Sequence, residues 1–155
     1  MVQSSIQDTF LYQRNERGDQ TMNETLDEQS RQALVQYRLE RASETMEEVT
    51  LLANESHFNA AVNRLYYACF YAASALLVAN GFSTSSHAGV KTMLGLHFVS
   101  KGLLSNEMGK TFSRLFEIRH SGDYDDFVYC DKEMVDEYKP KAVKFIEAIK
   151  ALLDK

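Results

Sequence analysis

Residues 65–79, LYYACFYAASALLVA, decide the fold class, because this run is apolar apart from Ser74 and contains no charged side chain. A helix of this length spans roughly 22 Å, which is shorter than a bilayer core of about 30 Å. The run therefore predicts the buried helix of a bundle, extending from about Phe58 to Asn80. Gly81 favours a helix end there, because glycine readily adopts the left-handed conformation that closes a helix.

Helical periodicity continues on both sides of this run. Upstream, apolar residues recur every three or four positions and form one stripe: Val35, Leu39, Ala42, Met46, Val49 and Ala53. The polar residues 54–57 interrupt that helix. Downstream, a run of serines can cap a third helix over 87–100, and Ser105 can cap a fourth helix over 106–120. Gly122 is expected to terminate the fourth helix.

A fifth helix is predicted to begin after Asp131, whose side chain can cap its first turn. Pro140 lies within this helix and is expected to kink or split it, because proline lacks an amide donor and clashes with the preceding turn. The connections are short, so consecutive helices should be antiparallel. We therefore predict an all-α, up-and-down four-helix bundle with an additional C-terminal helix over residues 22–155. A weakly ordered extension without a signal-peptide pattern is expected over residues 1–21.

Composition limits the classes of function. The formal net charge of −5 gives no bulk attraction to nucleic acid or to an anionic membrane, although a local basic patch remains compatible with it. Cys69 and Cys130 are too few, and lack the spacing, for a disulfide-stapled fold or a zinc site. These features predict a cytosolic protein without membrane contact. The chain contains no glycine-rich phosphate loop or nucleophile elbow.

Metal and cofactor sites are not predicted. Glu117 and His120 form one copy of a Glu-x-x-His spacing, whereas a di-iron site in a bundle needs two copies, and no second copy occurs. The other three histidines have no metal-like spacing. Among them, His87 follows the serines and is expected to be a hydrogen-bonding residue near a helix cap.

Residues 114–126, RLFEIRHSGDYDD, gather arginine, histidine and acidic residues around the predicted end of the fourth helix. Arg119 and Asp123 are four residues apart and could pair across one turn. One interpretation is structural, with Arg and His placed favourably against the helix dipole and followed by an acidic loop.

Residues 61–73, AVNRLYYACFYAA, place Asn63 and Arg64 beside Tyr67 and two further tyrosines. An arginine on a mostly buried helix needs an anionic partner, because burying an unpaired charge is costly. Arg64 could pair with an acid such as Asp123, or it could face the phosphate of a nucleotide or RNA. The tyrosines are interpreted as core residues or as a platform on which bases stack.

Four ordered segments carry a resemblance to a known family: AVNRLYYACFYAASALL, SSHAGV, LGLHFVSKGLL and LFEIRHSGDYDDF. Together they resemble the HEPN family (higher eukaryotes and prokaryotes nucleotide-binding domain), specifically its small stand-alone prokaryotic branch, over roughly Tyr37 to Leu153. The resemblance implies a helical bundle that often dimerises and is commonly encoded beside a small nucleotidyltransferase. It also implies the activity of many members, which are metal-independent ribonuclease toxins with the transferase-type partner as antitoxin.

The resemblance also implies candidate residues. The usual catalytic signature of the family, an Arg and a His separated by four to six residues, is matched by Arg114 and His120. The branch motif, an Arg, three residues and then Asp-Tyr, is matched by Arg119, Asp123 and Tyr124. In a ribonuclease, His120 would be the general base or acid on the ribose 2′-hydroxyl or the leaving oxygen. Arg114 or Arg119 would stabilise the charged phosphorane.

The helical spacing adds a prediction about assembly. Six residues place Arg114 and His120 about 240° apart on an ideal helix. They can meet only if the helix ends before His120 or if two protomers share one cleft, so this mechanism predicts a homodimer. The resemblance further implies RNA or a nucleotide as the ligand and a small nucleotidyltransferase as the partner. The alternative function is a non-catalytic, nucleotide-sensing or protein-interaction adaptor, in which Arg119, Asp123 and Tyr124 hold the fold or a partner.

Overall fold

The computed structural model describes residues 27–84, 86–124 and 129–155, without the side chains of residues 121–124. Within these ranges the chain forms five α-helices and one π-helix, and no strand. In chain order they are α1 (Glu28–Asn54), α2 (Phe58–Ala79), α3 (His87–Leu94), the π-helix (Gly95–Val99), α4 (Asn106–Tyr124) and α5 (Lys132–Leu153). The predicted all-α class is confirmed. The expected extension over residues 1–21 lies outside the described residues.

Local sequence sets most of the helix ends. The side chains of Ser86, Ser105 and Asp131 each accept a hydrogen bond from the backbone amide three residues further on, at 2.9 to 3.2 Å. Such caps satisfy amide groups that have no partner within the helix. Gly81 and Gly102 have φ angles of 80° and 75°, in the left-handed region where a side chain would be strained. The predicted stop at Gly81 is confirmed.

Helix α2 lies at the centre of the bundle and contacts each of the other four α-helices. Twelve of its 22 residues are buried, including a run of small side chains that lets the neighbouring helices approach closely. Cys69 has no exposed surface, as expected for a core residue, and burial raises the pKa of its thiol. Half of the side chains of the candidate site described below therefore project from this central helix.

Two predictions are wrong, the end of the fourth helix before Gly122 and the split at Pro140, whereas the kink expected at Pro140 stays a prediction. Helix α4 does not stop before Gly122 but continues through it to Tyr124, because one glycine inside a helix costs only about 1 kcal/mol relative to alanine. Helix α5 is not split at Pro140. The cost of an internal proline, about 3 kcal/mol, is opposed in α5 by burial of the side chains that follow it, which are Ala142, Phe145, Ile146 and Ile149.

The third helix also differs from the prediction. It begins at His87 as expected, but α-helical geometry ends at Leu94 and a π-helix follows from Gly95 to Val99. Among the helices that the structure describes, none combines the length and the apolar character needed to span a bilayer.

Candidate functional site

Side chains from three helices converge around two adjacent tyrosines of α2. We call this group the His–Tyr cluster. On α2, Arg64 and Tyr67 are three residues apart and Tyr66 and Phe70 are four apart, and on α4 Arg119 and His120 follow Phe116 by three and four, so each set lies toward one side of its helix. The members are Arg64, Tyr66, Tyr67 and Phe70 from α2, His87 from α3, and Phe116, Arg119 and His120 from α4.

Tyr66 occupies the centre of the cluster and has no exposed surface. Its ring centre lies 5.4 to 6.1 Å from the ring centres of six neighbours, a spacing typical of packed aromatic pairs. Its hydroxyl oxygen lies 2.8 Å from Nδ1 of His87. Burial raises the pKa of the Tyr66 hydroxyl, so this group stays protonated at neutral pH.

His87 is the first residue of α3, directly after the capping residue Ser86. It hydrogen-bonds near the cap, as the sequence predicts, but the bond crosses to Tyr66 on α2. Its ring also stacks on Phe70, with ring centres 4.3 Å apart and planes 14° apart. The sequence signals only that a histidine begins the helix, and the fold decides what it contacts.

His120 is half-buried rather than directed into bulk water. It stacks on Phe116 with ring centres 4.0 Å apart, and its Nδ1–H donates to the Phe116 carbonyl oxygen at 2.8 Å. Because a carbonyl oxygen can only accept, Nδ1 carries the proton. In the neutral ring, Nε2 therefore carries the lone pair that a general base uses.

Tyr67 is contacted by two arginines. The Arg64 guanidinium lies 4.7 Å from the centre of its ring, and the Arg119 guanidinium lies 5.5 Å away. Nη2 of Arg119 also donates to the Tyr67 hydroxyl at 3.1 Å. Cations near an aromatic face are attracted by its quadrupole. Two positive charges are thereby held at Tyr67, whose ring contacts Tyr66, the tyrosine against which His120 packs.

Arg64 has an acidic partner on α1. Its Nη1 lies 3.5 Å from Oε1 of Glu48, and its Nη2 donates to Oδ1 of Asn63 at 3.3 Å. The Glu48 side chain is 40% exposed, so this ion pair lies at the edge of the site and not in the core. The alternative acid for Arg64, Asp123, has a side chain outside the described residues.

Arg114 does not share this site within one chain. Its side chain is 55% exposed and pairs with Glu117 at 3.5 Å. Since α4 continues past His120, the helix does not end where Arg114 and His120 would need it to end. The two residues therefore lie on different faces of one helix. The pairing of Arg119 with Asp123, and any contact of Tyr124, lie outside the described residues.

The structure thus brings together five of the eight candidate residues, namely Asn63, Arg64, Tyr67, Arg119 and His120, and separates Arg114 from them. Sequence reasoning assigned no role at the site to His87, and it interpreted Tyr66, together with its neighbouring tyrosines, as a core residue or as part of a base-stacking platform. Among the described residues, no group of three His, Cys, Asp or Glu side chains is placed to hold a metal ion.

The protein is a helical bundle, and its sequence matches that of a known family. A family model for the HEPN domain matches residues 35–152, and the chain belongs to the HEPN domain family. A UPF0332 protein of Thermotoga maritima is 39% identical over 124 residues, which cover 80% of this chain and 94% of the relative.

Two archaeal relatives carry names that describe a role. Two proteins of Methanocaldococcus jannaschii, each named "Putative toxin", are 31% and 28% identical to this chain. The first match covers 77% of this chain and 88% of the relative, and the second covers 74% and 78%.

Proposed function

We propose that the protein is a toxin-type endoribonuclease that cleaves RNA without a metal ion. The observation that supports this is the placement of Arg119 and His120, which are both half-buried and directed toward the same tyrosine pair. A positioned imidazole can transfer a proton and a guanidinium can stabilise the charge on the phosphate, which are two tasks in phosphodiester transesterification. The names of the two archaeal relatives agree with a toxin role.

Each residue has a defined task in this mechanism. Nε2 of His120 takes the proton of the ribose 2′-hydroxyl, and the 2′-oxygen attacks phosphorus. Arg119 binds the phosphate and stabilises the charge that develops on its oxygens. Arg64 and Tyr67 hold Arg119 and the incoming strand in place, by charge and by stacking. The whole chain carries a net charge of −5, so the attraction of RNA to this site would depend on the local positive charge of its arginines.

We also propose that the active form is a homodimer acting in the cytosol. Arg114 lies too far around α4 to serve His120 of its own chain. A two-fold arrangement that brings Arg114 of one protomer to His120 of the other would add a further cation to each cleft. The partner that restrains the toxin would be a small nucleotidyltransferase, which the family resemblance implies.

A specific observation favours the adaptor as a second candidate. Both arginines of the cluster already have partners inside the protein, because Arg64 contacts Glu48 and Arg119 contacts Tyr67. In an adaptor these contacts would hold α1, α2 and α4 together, and the cluster would bind a nucleotide or a protein without cleaving anything.

Incubation of the purified full-length protein with RNA in the presence of EDTA tests the proposal. We expect cleavage products that end in a 2′,3′-cyclic phosphate. The variant His120→Ala should lose cleavage, whereas His97→Ala should retain it. His97 is a suitable control because it also stacks on an aromatic ring, that of Phe82 at 4.3 Å. Intact RNA with folded wild-type protein and no antitoxin, or undiminished cleavage by His120→Ala, would overturn the ribonuclease and favour the adaptor.

A further inference from the structure

Cleavage of RNA by transesterification involves two proton transfers. A base removes the proton of the 2′-hydroxyl, and an acid protonates the 5′-oxygen as it leaves. The proposed function assigns the first task to His120 and leaves the second unassigned. A second imidazole lies within the same cluster, because the ring centre of His87 is 5.7 Å from that of His120.

We propose that His87 is the general acid that protonates the leaving oxygen, and that it acts opposite His120 on one phosphodiester group. This inference rests on the proposed ribonuclease function and deepens it. Each hydrogen bond to a reacting oxygen takes only about 3 Å. The two imidazoles are direct neighbours, with ring centres 5.7 Å apart and planes inclined by 65°, so one phosphodiester group placed against both rings is within reach of both.

The partner of His87 suits a residue that changes its charge. The buried Tyr66 hydroxyl can donate to Nδ1 of the neutral ring, and it can accept from Nδ1–H of the charged ring. His87 therefore keeps this hydrogen bond in both protonation states, while Nε2 gains or loses the proton. His120 also keeps its hydrogen bond whether its ring is neutral or charged, because the Phe116 carbonyl oxygen accepts from Nδ1–H in both protonation states.

Both imidazoles are also held in fixed planes. His87 stacks on Phe70 at 4.3 Å, and His120 stacks on Phe116 at 4.0 Å. Both rings contact Tyr66, whose own position is fixed by complete burial. Such immobilised rings reduce the entropy lost when a substrate is bound in a reactive geometry.

The charged and titratable neighbours favour a phosphate at this position. Tyr66 and Tyr67 from α2 supply hydroxyl groups, and Arg119 from α4 supplies a guanidinium. Lys91 from α3 places its ammonium 4.8 Å from the centre of the Phe116 ring, on which His120 stacks. The charge of Arg64 is partly balanced by Glu48 of α1. A phosphodiester that contacts both imidazoles would lie near these cations.

The proposed step balances in atoms and protons. The bond from the 2′-oxygen to phosphorus forms, and the bond from phosphorus to the 5′-oxygen breaks. His120 gains the proton of the 2′-hydroxyl, and His87 gives a proton to the 5′-oxygen. The products are a 2′,3′-cyclic phosphate and a free 5′-hydroxyl, and proton exchange with solvent resets both imidazoles.

A change of leaving group tests this role. The substrates are two RNA oligonucleotides that contain the mapped cleavage site, one natural and one with sulphur in place of the bridging 5′-oxygen. Because a thiolate leaves without a proton, loss of the acid should affect only the natural substrate. We expect His87→Gln to slow cleavage of the natural RNA by about 10²- to 10⁴-fold and to leave the sulphur substrate within about threefold of wild type.

Two further variants make the result decisive. His120→Ala should lose activity on both substrates, and His97→Gln should lose it on neither. If His87→Gln slows both substrates equally, His87 is a structural residue, and if it slows neither, His87 has no part in the reaction. Either result overturns the inference while the ribonuclease stands. If wild-type protein cleaves neither substrate, the proposed function itself fails. Circular dichroism of His87→Gln confirms that the variant is folded, and His87→Asn serves if it is not.

Discussion

The Tyr66 hydroxyl oxygen lies 2.8 Å from Nδ1 of His87, and this bond joins the buried centre of α2 to the first residue of α3. The two residues are 21 positions apart in the chain. The contact therefore fixes the beginning of α3 against the core, and it does so with a polar group that has no exposed surface. Such a hydrogen bond contributes to stability and to the geometry of the site at once.

The variant Tyr66→Phe should lower the free energy of unfolding by about 1 kcal/mol, because it removes one hydrogen bond and keeps the ring. Urea denaturation followed by circular dichroism measures the change. Tyr129→Phe is the matched control, since Tyr129 is 76% exposed and its hydroxyl should contribute less than about 0.5 kcal/mol. Equal stability of Tyr66→Phe and wild type would contradict the assigned hydrogen bond.

Stability should fall at alkaline pH because of the same tyrosine. Burial raises the pKa of Tyr66 in the folded protein above its ordinary value of about 10. Above that value the unfolded chain loses the proton and the folded chain keeps it, so the unfolded state binds fewer protons and stability decreases as the pH rises. For each group that is protonated in the folded protein and deprotonated in the unfolded chain, the free energy of unfolding falls by about 1.4 kcal/mol per pH unit.

Urea denaturation between pH 8 and about pH 11 measures this slope. In Tyr66→Phe, the decrease in the free energy of unfolding with pH should be less steep, because one ionising group has been removed. Cys69 adds a similar decrease that begins at lower pH, because burial raises the pKa of its thiol as well, so a Cys69→Ala background separates the two. An unchanged slope in Tyr66→Phe would show that Tyr66 ionises as easily in the fold as in the unfolded chain.

Mixed protomers should test the proposed dimer. Arg114→Ala and His120→Ala should each be inactive alone if one cleft takes Arg114 from one protomer and His120 from the other. After mixing and subunit exchange, half of the dimers combine the two variants and carry one intact cleft. We therefore expect recovery of about one quarter of the wild-type rate. Full activity of Arg114→Ala alone would remove Arg114 from the site.

Two glycines of the α3–α4 region should respond differently to alanine. A Cβ at Gly95 meets no atom within 4 Å, and its φ of −63° and ψ of −47° are helical. Gly95→Ala should therefore stabilise the protein by about 0.5–1 kcal/mol. At Gly109 the added atom would lie 3.1 Å from Cγ2 of Val99, so the same helical gain is offset by displacement of that side chain.

Thermal unfolding of the two variants compares these effects directly. Gly95→Ala should have the higher midpoint, and Gly109→Ala should lie below it. The reverse order would show that the Val99 side chain moves at no cost, or that the π-helix depends on a glycine at its start.

Much of this architecture follows from local sequence. The apolar run 65–79 predicts the central helix because a segment without charged groups gains most by complete burial. Ser86, Ser105 and Asp131 predict helix starts because their side chains are within reach of the amide groups that they cap. These interactions span only three or four residues, so a pattern in the chain is sufficient to recognise them.

Helix ends and side-chain partners were less predictable, because they depend on competition with distant contacts. The end of α4 and the continuity of α5 through Pro140 depend on packing energies that the local signals at Gly122 and Pro140 do not contain. In the same way, Arg64 suggested an acidic partner but not Glu48, which lies 16 residues away on another helix.

The sequence by itself determined a helical bundle and a set of candidate residues at the end of α4, since hydrophobic periodicity and spacing act along the chain. Only the tertiary structure decided that Arg114 lies apart from His120 and that His87 lies beside it. The reason is geometric. The continuation of α4 fixes the angle between Arg114 and His120, and the packing of α3 on α2 places His87, whose sequence neighbours give no indication of that contact.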